Sequence, residues 1–453
     1  MRANAVTTGS RQLTETPATT ATTATTATAD TTATTPAAPT AAAAADFDPL
    51  DPSTVQCPYP WYRALRAEAP VHFVPGRGMW FITSHDLCTE AALNHEVFSS
   101  AFGLPQMPPP ESVAGEIAAI QAEGWPPVPT LLTADPPEHH YYRRMVAKAF
   151  TPRLIAEHEP QIRRIARDVA GQIPAGAPFE VVTGFAAPLP LQVIAHVLNV
   201  SAEATDDFKR WSDQFTASVG AVLEPDAAVQ QARENLSYQR YFAAELEDRR
   251  ENPRDDLLSG LVAAPSAESG DEPLSTAACL SVIQQLLIAG NETTTKLLTG
   301  LLHQLAEQPR WWEWFRADPA GRSAALVEEG LRFLTPVQSM FRITTTETQL
   351  GGTTIPAGAL VVLTFGSANR DEAQFTHPED FDPQRSDAKG HLSFGTGIHA
   401  CPGSRLARLE SQIALEELAG RFTTVRFADG NDFGYEPSFM LRGLHRLALI
   451  FES

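Results

Sequence analysis

The sequence predicts one large, mainly α domain with a minor β-sheet region. Three observations predict it: six stretches carry apolar residues at helical spacing, strand signals are few and short, and no linker divides residues 46–453. The helical stretches run Pro152 to Ala170, Ala202 to Val219, Asp226 to Arg250, Pro273 to Gln308, Gly321 to Phe333 and Gly403 to Gly420. The strand signals are His72 to Val74 with Met79 to Thr83, Thr348 to Ile355, and Ala359 to Thr364, each bounded by Gly or Pro. The polar stretch Ala263 to Ser275 is short enough to be a surface loop between helices.

Residues 1–45 stand apart. From Thr14 to Ala45 the chain is almost wholly Thr, Ala and Pro, with Glu15 and Asp30 its only charges, so it has nothing to build a core from and is expected to be a disordered leader. Alternating Thr and Ala do not make the apolar stretch of a secretory signal.

The charge balance removes whole classes of function. With 54 acidic residues against 34 basic ones the formal charge is -20, which argues against a phosphate backbone as the main partner. No apolar run is long enough to cross a bilayer, so a membrane protein is not expected. Four cysteines, at 57, 88, 279 and 401, have no short paired spacing and suggest neither a disulfide framework nor a zinc site. A reducing cytoplasm fits them best.

Between Pro273 and Pro309 apolar residues recur through Leu280, Ile283, Leu287, Leu297, Leu301 and Leu305. At about 1.5 Å per residue such a helix is roughly 50 Å long and crosses a whole domain. Its middle, AGNETTT (Ala289 to Thr295), contradicts local helix preference: Gly costs about 1 kcal/mol, and a Thr hydroxyl can bond back to the carbonyl four residues earlier and bend the helix. The segment is either a packing glycine beside an exposed polar turn or a notch for a ligand. In the second case Val282, Leu286, Ala289 and Thr293 share one face, and with Gly290 they form an apolar wall carrying one hydroxyl beside Glu292. Such a wall suits an oily substrate and a proton relay.

The segment HLSFGTGIHACPG (His391 to Gly403) sets Cys401 among glycines, just ahead of a helical run. The start of that helix directs backbone N–H groups and a positive dipole end at the sulfur, which favours thiolate. A lone cysteine is commonly a small buried hydrophobe, but this setting argues otherwise. A nucleophilic role with His399 as base is poor, because residues two apart on a tight loop seldom converge.

FGTGIHACPG closely resembles the haem-ligand loop of the cytochrome P450s, whose pattern is Phe, Gly, any, Gly, any, His or Arg, any, Cys, any, Gly. Phe394, Gly395, Gly397, His399, Cys401 and Gly403 match every fixed position. Other segments resemble the family's remaining marks, in the expected order. AGNET is similar to its oxygen-activation motif, with Glu292 as acid and Thr293 as alcohol. Glu329 and Arg332 are similar to its Glu-any-any-Arg helix, and Arg385 to the residue that completes that cluster. His139 and Arg143 resemble the helix that holds the haem propionates, and Arg342 the strand arginine with the same job.

The resemblance implies a cytochrome P450-type single large haem domain over residues 46–453. Its cofactor is expected to be haem b, iron protoporphyrin IX with Cys401 thiolate as axial ligand. His139, Arg143, Arg342 and His399 are expected to hold the propionates, with Phe394 and Gly395 against the ring. His391 is a weaker candidate, with a structural role as the alternative. Glu292 and Thr293 are expected to carry protons to dioxygen. Val282, Leu286, Ala289 and Gly290 are expected to line the substrate pocket, together with residues such as Phe102, Leu104, Met107 and Trp125 and the segment Pro336 to Phe341.

One departure has physical content: Pro402 follows Cys401 and has no N–H to give the sulfur, which leaves more charge there. No flavin or nicotinamide fingerprint is visible, so NAD(P)H-derived electrons are expected through a separate ferredoxin and ferredoxin reductase, docked near Arg405 and Arg408. The resulting expectation is a cytoplasmic, monomeric monooxygenase that inserts one oxygen atom into an apolar small molecule. The alternatives are a peroxide-using, coupling or desaturating haem-thiolate enzyme, or a haem-thiolate sensor or binding protein without turnover.

Overall fold

The computed structural model describes residues 43–101, 109–201, 205–217, 223–265 and 273–453. The leader up to residue 42 lies outside the described residues, as do Phe102, Leu104 and Met107. The described chain starts at Ala43, and Ala44 is already buried against Phe47 and Trp61.

Helices dominate, and their ends follow local chemistry. The helix Pro152–Ala170 starts on Thr151, whose hydroxyl accepts from Leu154 N, and Pro152 takes the first helical position, where its missing N–H costs nothing. The helix Thr276–Glu307 is capped by Ser275 and runs unbroken for 32 residues. It packs against Pro188–Val197, Pro319–Leu334 and Thr205–Ala217. The helix Ser404–Arg421 lies on Pro152–Ala170 and Pro319–Leu334. Their shared apolar faces form one continuous core that includes Leu301, Leu326, Ile162 and Leu415. Burying such side chains stabilises the fold by about 1.5–3 kcal/mol each.

A five-stranded sheet stands beside the helices in the order Val71–Val74, Met79–Ile82, Leu360–Leu363, Met340–Thr344 and Phe98–Ser99. The pair Met79–Ile82 and Leu360–Leu363 is parallel and the rest antiparallel. Strand Met340–Thr344 pairs Arg342 with Val361 and sets Arg342 in the wall of the cavity described below.

Two expectations change. The stretch Thr348 to Ile355 is not one strand but a hairpin of Thr348–Leu350 and Thr353–Ile355, because Gly351 and Gly352 take positive φ and reverse the chain. A three-stranded sheet of Pro178–Glu180, Ala448–Glu452 and Thr424–Phe427 carries no strand signal in the sequence reading above; its central strand, ALIFE, is buried on both faces and shows no alternation. Among the described residues no helix is long and apolar enough to cross a membrane.

Candidate functional site

The cysteine loop is held by its own backbone. Cys401 N donates to Phe394 O at 2.8 Å, and Gly395 N to Leu392 O at 2.8 Å. Gly397 has φ +71, and a Cβ there would lie 2.8 Å from Ala92 O, so no larger residue fits. The Cys401 sulfur accepts backbone hydrogen bonds from Gly403 and Ser404 at the mouth of the helix Ser404–Arg421. The missing Pro402 donor is therefore partly replaced by the two residues that follow it. Burial pushes the thiol up, while these bonds and the Arg143 and Arg408 charges pull it down.

Across from the loop, the long helix stays α-helical through Ala289–Thr295. Thr293 Oγ1 donates to Ala289 O at 3.0 Å, and Thr295 repeats the pattern onto Asn291 O at 3.0 Å. The hydroxyls thus bond back four residues without opening the helix. Gly290 sits against Ile194, where an added Cβ would fall 3.2 Å from Cδ1. It is a packing glycine and also lines the cavity described next.

Between loop and helix lies a cavity of about 250 Å³. Cys401, Phe394, Gly395 and His399 line it from the loop, and Leu286, Ala289, Gly290 and Thr293 from the helix. Ile194, Leu132, Val337, Met340 and Phe365 make its remaining walls mostly apolar. Val282 is a correction: it is fully buried in the main core and is not among the lining residues, because it lies one turn beyond Leu286, where the helix is already covered by its neighbours. Trp125 likewise is half-buried and packs on that core outside the cavity wall.

Four cationic or potentially cationic groups gather at one end. The His139 and His399 rings stand 4.2 Å apart between centroids. His139 Nδ1 and His399 Nε2 are buried atoms with no hydrogen-bond partner among the described residues. Burial, then Arg143, holds His139 down at about 4; burial, then Arg342 and His139, holds His399 down at about 3. Burial also lowers Arg342, to about 10, and Arg143, the latter opposed by Cys401. Arg342 bonds the Phe341 carbonyl, and no carboxylate among the described residues lies within ion-pair distance of it. Each buried donor or acceptor left unpaired costs about 1–3 kcal/mol, and a buried cation more. A ligand carrying two carboxylates would satisfy this set, so the residues present fit a haem with its propionates.

The Glu329 cluster assembles as the motif requires. Arg332 grips Glu329 with two bonds of 2.8 Å, and Arg385 Nε lies 3.0 Å from the same carboxylate. Glu329 and Arg332 have no exposed surface.

His391 has both nitrogens engaged, with Glu328 Oε2 at 3.2 Å and Ser393 N at 3.2 Å, which is its structural alternative. Arg408 is a second correction. It is not a free surface cation but forks onto Glu328 and rests over the Phe394 ring at 4.5 Å. Burial alone would raise the Glu328 carboxyl, yet His391 and Arg408 hold it down at about 2. Arg405 remains exposed.

Sequence reading missed Glu410. It lines the cavity, is buried, and accepts from Thr294 Oγ1 at 2.9 Å. Complete burial pushes its carboxyl up to about 8, with the Thr294 bond opposing. The group is then neutral in the folded protein and ionised in the unfolded chain at neutral pH, so its effect on stability worsens as pH rises from the usual carboxylate range through about 8. Glu410→Gln keeps the Thr294 bond and does not titrate. Its advantage over the parent in unfolding free energy, read from urea midpoints, should grow between about pH 5 and about pH 8, reaching a few kcal/mol. A constant difference across that range would refute the buried neutral acid.

Comparison with known proteins points the same way. The Cytochrome P450 family model matches residues 324–437. The chain is 35% identical over 368 residues to the putative cytochrome P450 YjiB of Bacillus subtilis, covering 81% of this chain and 87% of that one. It is 33% identical to the 6-deoxyerythronolide B hydroxylase of Saccharopolyspora erythraea, covering 85% and 95%. The solved structure of cytochrome P450 CYP109Q5 from Chondromyces apiculatus superposes with a TM-score of 0.78 at 34% identity, over 90% of this chain and 99% of that one.

Proposed function

The chain belongs to the cytochrome P450 family of haem monooxygenases, and from that premise we propose that it uses dioxygen and electrons from a separate ferredoxin and ferredoxin reductase to insert one oxygen atom into an apolar small molecule. The observation that carries this reading is a cavity bounded by Cys401 on one side and by Ala289, Gly290 and Thr293 on the other, with the unpaired His139 Nδ1 and His399 Nε2 and the Arg143 and Arg342 charges at its end.

Haem b, when bound through a Cys thiolate, supplies an electron-rich iron that favours O–O cleavage. The chain's own residues do the rest. Cys401 would ligate the iron through its thiolate, whose sulfur the Gly403 and Ser404 N–H groups hold by hydrogen bonds. His139, Arg143, Arg342 and His399 would hold the propionates, which would give the unpaired His139 Nδ1 and His399 Nε2 a partner. Leu286, Ala289, Ile194, Val337 and Met340 exclude water and give the substrate an apolar surface. Thr293 holds its hydroxyl proton on Ala289 O and releases it toward the cavity, and Glu292, next in sequence, restores it. The wall chemistry supports an oily substrate, and the relative named for hydroxylating 6-deoxyerythronolide B supports insertion of oxygen as a hydroxyl group.

A binding-spectrum screen across terpenoid, steroid, polyketide, fatty acyl and aromatic compounds identifies the substrate. Turnover of the best binder under isotope-labelled dioxygen should place one labelled oxygen atom in the product, dependent on reductant. Product formed only with added hydrogen peroxide would refute the dioxygen reading.

The donor's docking face includes exposed Arg405, on the helix that follows Cys401. Arg405→Glu should slow ferredoxin-driven reduction severalfold at low salt and leave the rate with small-molecule reductants unchanged. Equal rates for both variants with ferredoxin would discard this face.

A further inference from the structure

We propose that Lys296 and Glu436 extend the Glu292–Thr293 pair into a proton path from solvent, with Glu436 as its entrance and Lys296 as the link that Glu292 draws on. The proposal rests on the reading of Glu292 and Thr293 given above.

Lys296 lies one turn beyond Glu292 on the long helix, and its side chain is 3% exposed. It is the single buried lysine of the four in the chain: Lys148 and Lys389 are exposed and Lys209 is 39% exposed. A buried ammonium is costly unless paired. Here two carboxylates share it, Glu292 Oε2 at 3.0 Å and Glu436 Oε2 at 2.7 Å. Burial works against the charge, but the two carboxylates together raise Lys296 above its ordinary value.

The geometry runs from inside to outside. Glu292 is 13% exposed, Lys296 3% and Glu436 39%, so only the last meets solvent freely. Glu436 sits on the C-terminal turn, where its N–H donates to Gly443 O at 3.0 Å. Gly443 is the residue that admits the lysine: a Cβ there would fall 2.4 Å from Lys296 Cγ. Glu292 Oε1 also lies 3.5 Å from Ser212 Oγ, and Ser212 is fully buried and accepts from Asn291 Nδ2 at 2.9 Å. That branch is buried, whereas the Glu436 branch reaches the surface.

The step is a two-stage exchange. Glu436 takes a proton from solvent. One Lys296 N–H bond breaks as an O–H bond forms on Glu292, which leaves a lone pair on Nζ, and the Glu436 O–H bond then breaks as a new N–H bond forms at that lone pair. Lys296 is a neutral amine only between the two transfers and ends as an ammonium, with Glu436 again a carboxylate.

Two measurements test it. In the carbon-monoxide-bound holoenzyme labelled with carbon-13 at the lysine ε position, Lys296, assigned through Lys296→Arg, should titrate above the other lysines, and Glu436→Gln and Glu292→Gln should each move it down. In turnover with NADPH, a plant-type ferredoxin and its reductase, and no added substrate, Glu436→Gln and Lys296→Met should lose severalfold more electrons as hydrogen peroxide and show a larger solvent isotope effect. Glu436→Gln changes a partly exposed side chain, so it keeps the test decisive if Lys296→Met misfolds. If Glu292→Gln raises peroxide loss and Glu436→Gln does not, the path through Lys296 is wrong and the Glu292 reading stands. If neither does, both fall.

Discussion

Arg332→Ala should destabilise the protein by about 3–5 kcal/mol, the cost of breaking a buried ion pair, out of a total of about 5–15 kcal/mol. All five guanidinium N–H donors are used. Nε and one Nη2 proton hold Glu329 at 2.8 Å each, the other Nη2 proton goes to Asp380 O at 2.9 Å, and Nη1 serves Asn369 O at 3.0 Å and Pro378 O at 2.8 Å. Removing the side chain strips donors from buried carbonyls as well as from the carboxylate. Arg385 stays 3.0 Å from Glu329 and limits the loss, so Arg385→Ala should cost less than Arg332→Ala. Lysine offers three donors from one point and cannot reproduce the fork, so Arg332→Lys should recover little. The damage should reach the cofactor. Asn369 Oδ1 accepts from Leu392 N at 2.6 Å and its Nδ2 donates to Ser393 Oγ at 2.8 Å, one step before the loop that holds Cys401. Urea midpoints and haem content per chain measure both effects; a lysine variant within about 1 kcal/mol of the parent would show that the fork is not what matters.

The parts of this molecule that could be read from sequence are those in which neighbours in the chain are neighbours in space. Cys401 with its glycines, and Glu329 three residues before Arg332, are local patterns that a tight turn or a helix is enough to bring together, whereas Thr293 lines the cavity and the Glu292 carboxylate meets Lys296 and Ser212. The helix Pro152–Ala170 was legible to its ends because Thr and Pro mark its start. What escaped depends on contacts between distant segments. Arg408 reads as a surface cation until Glu328, 80 residues earlier, is seen beneath it. Val282 shares a helix face with Leu286, yet neighbouring helices close over it and leave the cavity to start one turn later. Lys296 looks like one more helix lysine; only the turn around Gly443 reveals that it is buried between two acids. Glu410 gives no signal at all, since a Glu in a polar helix is ordinary and its burial follows from packing against Thr294.

Cys401→Ser should abolish the strongly red-shifted Soret band of the reduced, carbon-monoxide-bound protein and reduce oxygen-dependent turnover to background. The two side chains are nearly the same size, and the sulfur's surroundings are backbone N–H groups from Gly403 and Ser404 together with the Arg143 and Arg408 charges, all of which remain. What changes is the ligand's chemistry. A serine hydroxyl gives up its proton far less readily than a thiol and is a poor electron donor, so the push that favours O–O cleavage is lost. The fold should survive, because the loop is fixed by Cys401 N to Phe394 O, a bond the substitution does not touch, and because Gly397 still meets Ala92 without a Cβ. Loss of activity with an unchanged urea midpoint then separates ligation from packing. A variant that keeps the red-shifted band would assign the axial ligand elsewhere, and the three remaining cysteines offer poor substitutes: Cys88 is buried with its thiol on Ile82 O at 3.2 Å, Cys279 is buried in the main core, Cys57 is half-buried, and none of them lines the cavity that Cys401 shares with Thr293.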